Sequence, residues 1–255
     1  MNNETVIVTG GSSGMGKYMA KRFADEGANV VITGRNEERL SEAQKELEET
    51  ATGNILTIIM DVRNIEDVQR MVKETIETFG TIDHLVNNAA GNFIVRAEDL
   101  SVNGWNSVID IVLNGTFYCS REVGKYWIEQ GQKGTILNMV ATYAWDAGAG
   151  VIHSAAAKAG VLSMTRTLAV EWGSKYGIRV NAIAPGPIER TGGADKLMLS
   201  EEMAEKTRQD VPLKRFGKPE EIAGLAYFLL SDEAAYINGE VVTMDGGHWL
   251  NSFPF

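Results

Sequence analysis

Thr9-Gly10-Gly11-Ser12-Ser13-Gly14-Met15-Gly16 has the clearest chemistry in this chain: it closes a short β-branched run, Thr5–Thr9, and opens a helical pattern. Glycines 10, 14 and 16 let the backbone turn tightly, so a pyrophosphate can approach free amides at the positive end of the helix dipole. A strand before and a helix after turn a loose glycine pattern into the expectation of a dinucleotide site. The end of the second strand selects between dinucleotides. An Asp or Glu there would take a ribose 2′-hydroxyl, but the segment reads Thr33-Gly34-Arg35-Asn36, with Arg35 nineteen residues after Gly16. Arg35 suits a 2′-phosphate and points to NADPH; an arginine that only closes a surface turn is the competing reading. Asp61-Val62 ends the third β-rich run, where Asp61 is placed either to accept from an adenine amino group or to cap the helix starting near Asn64.

The elements that must carry these residues alternate regularly. β-rich runs at Thr5–Thr9, Asn29–Thr33, Asn54–Met60, His84–Asn87, Thr135–Met139, Arg179–Ile183 and Glu240–Met244 are separated by longer helical patterns. The first six runs are almost continuously apolar or β-branched, as parallel strands covered on both faces are. Between them, Ile65, Val68, Met71, Val72, Ile76 and Phe79 line one helix face, as do Ile222, Leu225, Ala226, Leu229 and Leu230. Glu37–Glu49 mixes charge signs at helical spacing and reads as a solvated helix face. The pattern predicts a single-domain Rossmann-type α/β fold over residues 1–255, a doubly wound parallel sheet of about seven strands. Residues 185–212, rich in Gly, Pro and Met, read as an irregular substrate loop inserted in that frame.

Composition removes several function classes. The 255 residues carry 24 Lys and Arg against 34 Asp and Glu, a net charge of −10 that disfavours a nucleic-acid partner. Cys119 is the one cysteine, so no intrachain disulfide forms, and a buried, inert thiol competes with a reactive one. His84, His153 and His248 lack metal-site spacing, and no metal is expected. No apolar run approaches membrane-spanning length, so the expectation is a cytoplasmic protein with no membrane partner.

Thr9–Gly16, Asn87-Asn88-Ala89-Ala90-Gly91, Asn114, Lys158 and Pro185-Gly186-Pro187-Ile188 occur in the order seen in short-chain dehydrogenases/reductases, which the chain resembles over essentially its whole length. The resemblance implies that Asn88 and Ala89 lie beside the adenosine half of the cofactor. It implies that Lys158 binds the nicotinamide ribose, with Asn114 linked to it through water, and that Pro185–Ile188 holds the carboxamide. One departure stands out. The usual Tyr-x-x-x-Lys reads Ser154-Ala155-Ala156-Ala157-Lys158, and the partner serine falls on Ala141. A serine hydroxyl is a far weaker acid than a phenol, so ordinary carbonyl reduction is disfavoured.

The NADPH-dependent 2,4-dienoyl-CoA reductases of the short-chain type share this departure. The chain is similar to them in Asn87–Phe93, in Asp110–Thr116 and around Ser154–Val161, and in Tyr143, eleven residues before Ser154. The resemblance implies hydride delivery to C5 of a 2,4-dienoyl-CoA, a 3-enoyl-CoA product and a place in unsaturated fatty-acid β-oxidation. Tyr143 and Asn92 would then donate to the thioester oxygen, an oxyanion-hole task. Matching to that branch places Arg63, Phe93, Ser101 and Lys196 at substrate contacts, and implies a homotetramer. Plainer roles compete for several of these residues: a surface pair for Arg63 with Glu66, a turn for Asn92, a helix cap for Ser154 and a buried aromatic for Tyr143. An interior polar group for Asn114 and a surface lysine for Lys158 complete that set. Trp249, Leu250, Phe253 and Phe255 make an apolar tail that packs on its own core or across a subunit boundary. A 2-enoyl-CoA or carbonyl reductase of the same fold, and a non-catalytic NADP(H)-binding module, are the alternative functions.

Overall fold

The computed structural model describes residues 1–191 and 200–251. Among them, β1 (Thr5–Thr9), β2 (Asn29–Gly34), β3 (Ile55–Ile59), β4 (His84–Asn87), β5 (Thr135–Met139), β6 (Arg179–Pro185) and β7 (Val241–Met244) form one parallel sheet. Its order is β3-β2-β1-β4-β5-β6-β7. The expected runs are all present, trimmed at Asn54, Met60 and Glu240 and extended to Gly34 and Pro185. Helices α1 (Gly14–Asp25), α2 (Glu37–Glu48), α3 (Ile65–Phe79), α4 (Val102–Val108), α5 (Gly115–Gln130), α6 (Ile152–Tyr176), α7 (Glu201–Asp210) and α8 (Pro219–Leu230) connect or follow the strands.

Alternation along the strands feeds two cores. Val6, Val8, Val30 and Ile32 face Met19 and Phe23 of α1, Leu40 and Leu47 of α2, and Ile222 and Leu229 of α8. Ile7 and Val31 point the other way, onto Val68 and Met71 of α3 and Cys119, Val123 and Trp127 of α5. Each fully buried side chain of this size stabilises the fold by about 1.5–3 kcal/mol relative to exposure. The Trp127 indole is buried whole because its N–H donates to the Ile82 carbonyl at 2.5 Å. A third cluster, Val108, Val112, Val140, Ala157, Val161, Ala182 and Ala184, seats the start of α6 against β5 and β6.

Local chemistry sets the helix starts. Asn36 caps α2 by accepting from the Arg39 amide at 2.8 Å, and Leu40, Ala43 and Leu47 bury the inner face of that charged helix. Asn64, not Asp61, caps α3, accepting from the Glu66 amide at 3.0 Å. The stretch expected to be irregular over 185–212 contains α7, whose Ser200 cap accepts from the Met203 amide at 3.2 Å. Its first turns offer only Met203 and Ala204 as apolar residues and no residue of the helix is buried, so the periodicity that marks a helix was weak there. Among the described residues no helix is long and apolar enough to cross a membrane.

Candidate active site

Strand order reverses direction on either side of β1: β2 lies on one flank and β4 on the other. In such sheets the crevice beyond the strand ends at the reversal is where ligands bind. The glycine turn leaves β1 there, and Asn87–Asn92 leaves β4 there. The two walls are tied together. Thr9 Oγ1 accepts from the Asn88 and Ala89 amides at 3.0 and 3.1 Å, and Asn88 Nδ2 donates to the Thr9 and Gly10 carbonyls at 3.0 and 3.1 Å.

The turn fits a dinucleotide on structural grounds. Gly10 and Gly14 hold φ of +66° and +51°, and a Cβ on Gly16 would lie 2.4 Å from Asn88 Nδ2 and 2.5 Å from the Gly10 carbonyl oxygen. The 12-residue α1 has no acid in its first turn, and its N-cap Ser13 makes no capping bond, which leaves amides directed at the crevice. Ser12 lies across from β2, its Oγ 3.2 Å from where a Cβ on Gly34 would sit. Met15 packs against the α1 core. Arg35 follows β2 and is well exposed, with Nη1 4.0 Å from an Asp61 carboxylate oxygen. That carboxylate is taken by Arg63, whose Nε and Nη2 reach it at 2.9 and 2.5 Å. The competing reading of a surface pair for Arg63 with Glu66 is therefore replaced by a pair with Asp61, two residues back. Val62 is buried against Gly115, where a Cβ would come within 2.7 Å of it.

Pro185-Gly186-Pro187-Ile188 leaves the end of β6 on the same side. The Gly186 amide donates to the Met244 carbonyl at 3.0 Å, and Gly217 donates to the Pro187 carbonyl at 3.0 Å. Ile188 buries its side chain in the core. Thr191 then arrives 3.8 Å from the place of a Cβ on Gly14, so the segment crosses toward the glycine turn. Lys196 lies outside the described residues.

On the other side of the crevice, the short 3-10 turn Thr142–Ala144 presents Tyr143, and α6 begins at Ile152 after the N-cap Val151. Ser154 is thus inside the helix and does not cap it. Its hydroxyl and that of Tyr143 share a hydrogen bond at 3.1 Å. Lys158 is one turn further along the same face of α6, 8% exposed, and donates to the Met139 carbonyl at the end of β5. Burial pulls the Lys158 ammonium down to about 8 and pushes the Tyr143 phenol above its ordinary value, with the Ser154 hydrogen bond opposing that rise. Tyr143 is therefore a neutral hydroxyl at physiological pH.

Asn92 accepts from the Phe93 amide through Oδ1 at 2.9 Å, which leaves its amide N–H groups as the donating end. Tyr143 and Asn92 do not bond each other. They are brought to one wall by neighbours: Phe93 packs on His153 with ring centroids 4.4 Å apart, and the Val95 amide donates to the Gly150 carbonyl at 3.0 Å. Asn114 closes a π-helical segment, Ile109–Asn114, and donates from Nδ2 to Asp110 at 2.8 Å. Ser101 caps α4, accepting from the Gly104 amide at 3.0 Å, beside the Phe93 ring.

A family model described as Enoyl-(Acyl carrier protein) reductase matches residues 10–248. The chain belongs to the short-chain dehydrogenase/reductase family. It is 64% identical over 255 residues, all of both chains, to a Bacillus subtilis protein named probable 2,4-dienoyl-CoA reductase [(2E)-enoyl-CoA-producing]. It is 40% identical over 252 residues, 99% of this chain and 83% of the relative, to a Danio rerio peroxisomal 2,4-dienoyl-CoA reductase [(3E)-enoyl-CoA-producing]. A crystal structure of a short chain dehydrogenase from Bacillus anthracis superposes with a TM-score of 0.91 at 68% identity, covering 99% of each chain. A short-chain reductase uses a nicotinamide cofactor, and the glycine cradle described above fits one.

Beneath this short-chain reductase site runs a buried polar relay. Asn87 Nδ2 donates to Ser120 Oγ and Asn138 Oδ1, each at 2.9 Å, and Asn138 Nδ2 donates to Thr165 Oγ1 at 2.9 Å. It joins β4, α5, β5 and α6 under Lys158, and buried amides need such partners. Sequence reasoning missed Ser120, Asn138, Thr165 and His153. An Asn inside an otherwise apolar strand, as at Asn138, was the available signal. His153 is fully buried, and burial holds its imidazole below the usual value. Cys119 is buried too, its thiol pushed up to about 12, which makes it an inert core residue.

Proposed function

We propose that this short-chain reductase is an NADPH-dependent 2,4-dienoyl-CoA reductase that serves unsaturated fatty-acid β-oxidation as a cytoplasmic homotetramer. The observation that carries the reading is the Tyr143–Ser154 hydrogen bond. Serine stands where the family's acid tyrosine is expected, and a phenol from another element reaches it. The two relatives named above carry the same substrate class in their names.

NADPH, when bound, would supply a hydride, in this reading to C5 of the diene. The conjugated chain then carries negative charge to the thioester oxygen. Tyr143, kept protonated by burial and held by Ser154, donates to that oxygen, and the Asn92 amide is the second donor. Lys158, anchored on the Met139 carbonyl, holds the nicotinamide ribose, and Asn114 and Asp110 stiffen the π segment beside it. Ser12, Ser13 and Arg35 would hold the phosphates, and Pro185–Ile188 the carboxamide. Phe93 and Ser101 border the acyl-CoA, with Arg63 and Lys196 as the sequence-based candidates for its phosphates.

The proton added to carbon decides the product. Protonation at C2 yields a 3-enoyl-CoA and protonation at C4 a 2-enoyl-CoA, which is the difference between the two relatives' names. We favour C2, because dienolates protonate fastest at the carbon next to the carbonyl and Tyr143 is directed at the oxygen and is a reluctant acid. The test follows NADPH consumption with a short 2,4-dienoyl-CoA beside matched 2-enoyl- and 3-ketoacyl-CoA, with the product double bond located by NMR. Diene-specific consumption is expected. A good rate on either control and none on the diene would replace the mechanism with enoyl or carbonyl reduction.

A further inference from the structure

The rim of the nucleotide crevice contains a contradiction. The cofactor reading above assigns Arg35 to a 2′-phosphate, yet the Asp61 carboxylate lies 4.0 Å from the Arg35 guanidinium. A free carboxylate there would pair with Arg35 and repel a phosphate dianion. Ser12 is close by across Gly34, the first turn of α1 contributes no acid, and Asp61 is the one carboxylate among the described residues that contacts Arg35.

Arg63 removes the conflict. Its backbone amide donates to Asp61 Oδ1 at 3.1 Å, Nε reaches Oδ1 and Oδ2 at 2.9 and 3.0 Å, and Nη2 reaches Oδ2 at 2.5 Å. Both carboxylate oxygens are engaged by one planar fork, the pairing arginine makes best. The Asp61 backbone is itself pinned, its amide donating to Asp67 at 3.0 Å, with Asp67 held in turn by Arg70 at 2.9 Å. Asp61 is thereby held ionised and neutralised where it stands, and Arg35, bonded to it only at long range, stays free and exposed.

We infer that Arg63 is a positioning residue for cofactor choice: by occupying Asp61 it leaves Arg35 available to a 2′-phosphate and masks the negative charge beside it. This departs from the sequence-based placing of Arg63 at an acyl-CoA contact, and it rests on the NADPH reading. Removing Arg63 releases Asp61 onto Arg35, so discrimination between NADPH and NADH falls even though Arg63 need not touch either. Removing the Asp61 charge as well makes Arg63 unnecessary.

The experiment is a binding titration of NADPH and of NADH, read by calorimetry on the full chain, for wild type, R63Q, D61N and D61N/R63Q. Arg63 and Asp61 are both partly exposed, and circular dichroism checks that each variant folds. The quantity compared is the ratio of the NADH to the NADPH Kd, which cancels any shared loss at the adenine. R63Q is expected to lower that ratio about tenfold, and D61N/R63Q to return it to within about threefold of D61N. A double variant as poor as R63Q would overturn the inference and make Arg63 a direct phosphate ligand. An unchanged ratio in R63Q with a raised KM for the thioester would overturn it in favour of a substrate contact. A wild type that prefers NADH would remove the cofactor reading, and the inference with it.

Discussion

The two walls of the crevice are built on different principles. The nucleotide wall is backbone: a turn with positive φ at Gly10 and Gly14, a Gly16 with no room for a Cβ, and the bare start of α1. The reaction wall is side chains from separated elements, with Tyr143 from a 3-10 turn, Ser154 and Lys158 from α6, and Asn92 from the segment after β4. A backbone cradle tolerates little variation but carries little chemical identity. A side-chain constellation can be rebuilt: here Ser154 stands at the family's acid position, Ala141 at its partner's, and Tyr143 reaches Ser154 from another element.

If the walls are separable, damage to one should spare the other. The largest effect is expected from Y143F, which removes an oxyanion donor and should lower kcat about 10²–10³-fold while the NADPH Kd holds. Equal loss of cofactor binding would mean that the walls are not independent. G16A acts on the other wall. With a Cβ 2.4 Å from Asn88 Nδ2, the turn must shift, and overpacking of this kind costs about 1–3 kcal/mol, read as a lower Tm and weakened NADPH binding.

Lys158, on the reaction wall, sharpens the comparison through pH. Its folded value is about 8, against an ordinary value of 10.5, because burial disfavours the ammonium. Between those values the unfolded chain binds more protons, so this residue's contribution to stability rises with pH across that window. Melting curves of wild type against K158M should therefore converge or cross in favour of wild type as pH climbs from about 8 to 10.5. Turnover that needs the Lys158 charge should fall over the first part of the same range.

S154A is expected to be milder. It deletes the 3.1 Å partner of Tyr143 without deleting the donor, a change of about 1 kcal/mol or roughly fivefold in kcat. The smallest effect belongs to Cys119, whose buried thiol sits at about 12: thiol reagents should leave the native protein unmodified and active. Rapid modification would show that the α5 core opens.

Much of this molecule is local and therefore legible in its sequence. Strand composition, period-2 and period-3.6 hydrophobicity and the glycine spacing determine seven parallel strands, the helices between them and a phosphate-sized turn, because each depends on neighbours a few residues away. The caps at Asn36 and Asn64 are equally local, yet the sequence reading offered Asp61 as the α3 cap and the structure moved it to Asn64. The helix α7 was not legible, because its ten polar-rich residues lack an apolar stripe. Three matters were decided only in three dimensions. Asp61 pairs with Arg63 and so governs Arg35, Tyr143 finds Ser154 rather than a lysine-activated site, and Asn87, Asn138 and Thr165 meet under the crevice from three different elements. Each depends on where a side chain's hydrogen-bonding capacity is satisfied once water is excluded. Folding decides that by fixing the local backbone, as where Asp61 turns back onto Arg63, and by bringing together strand ends and helix faces that are distant in the sequence.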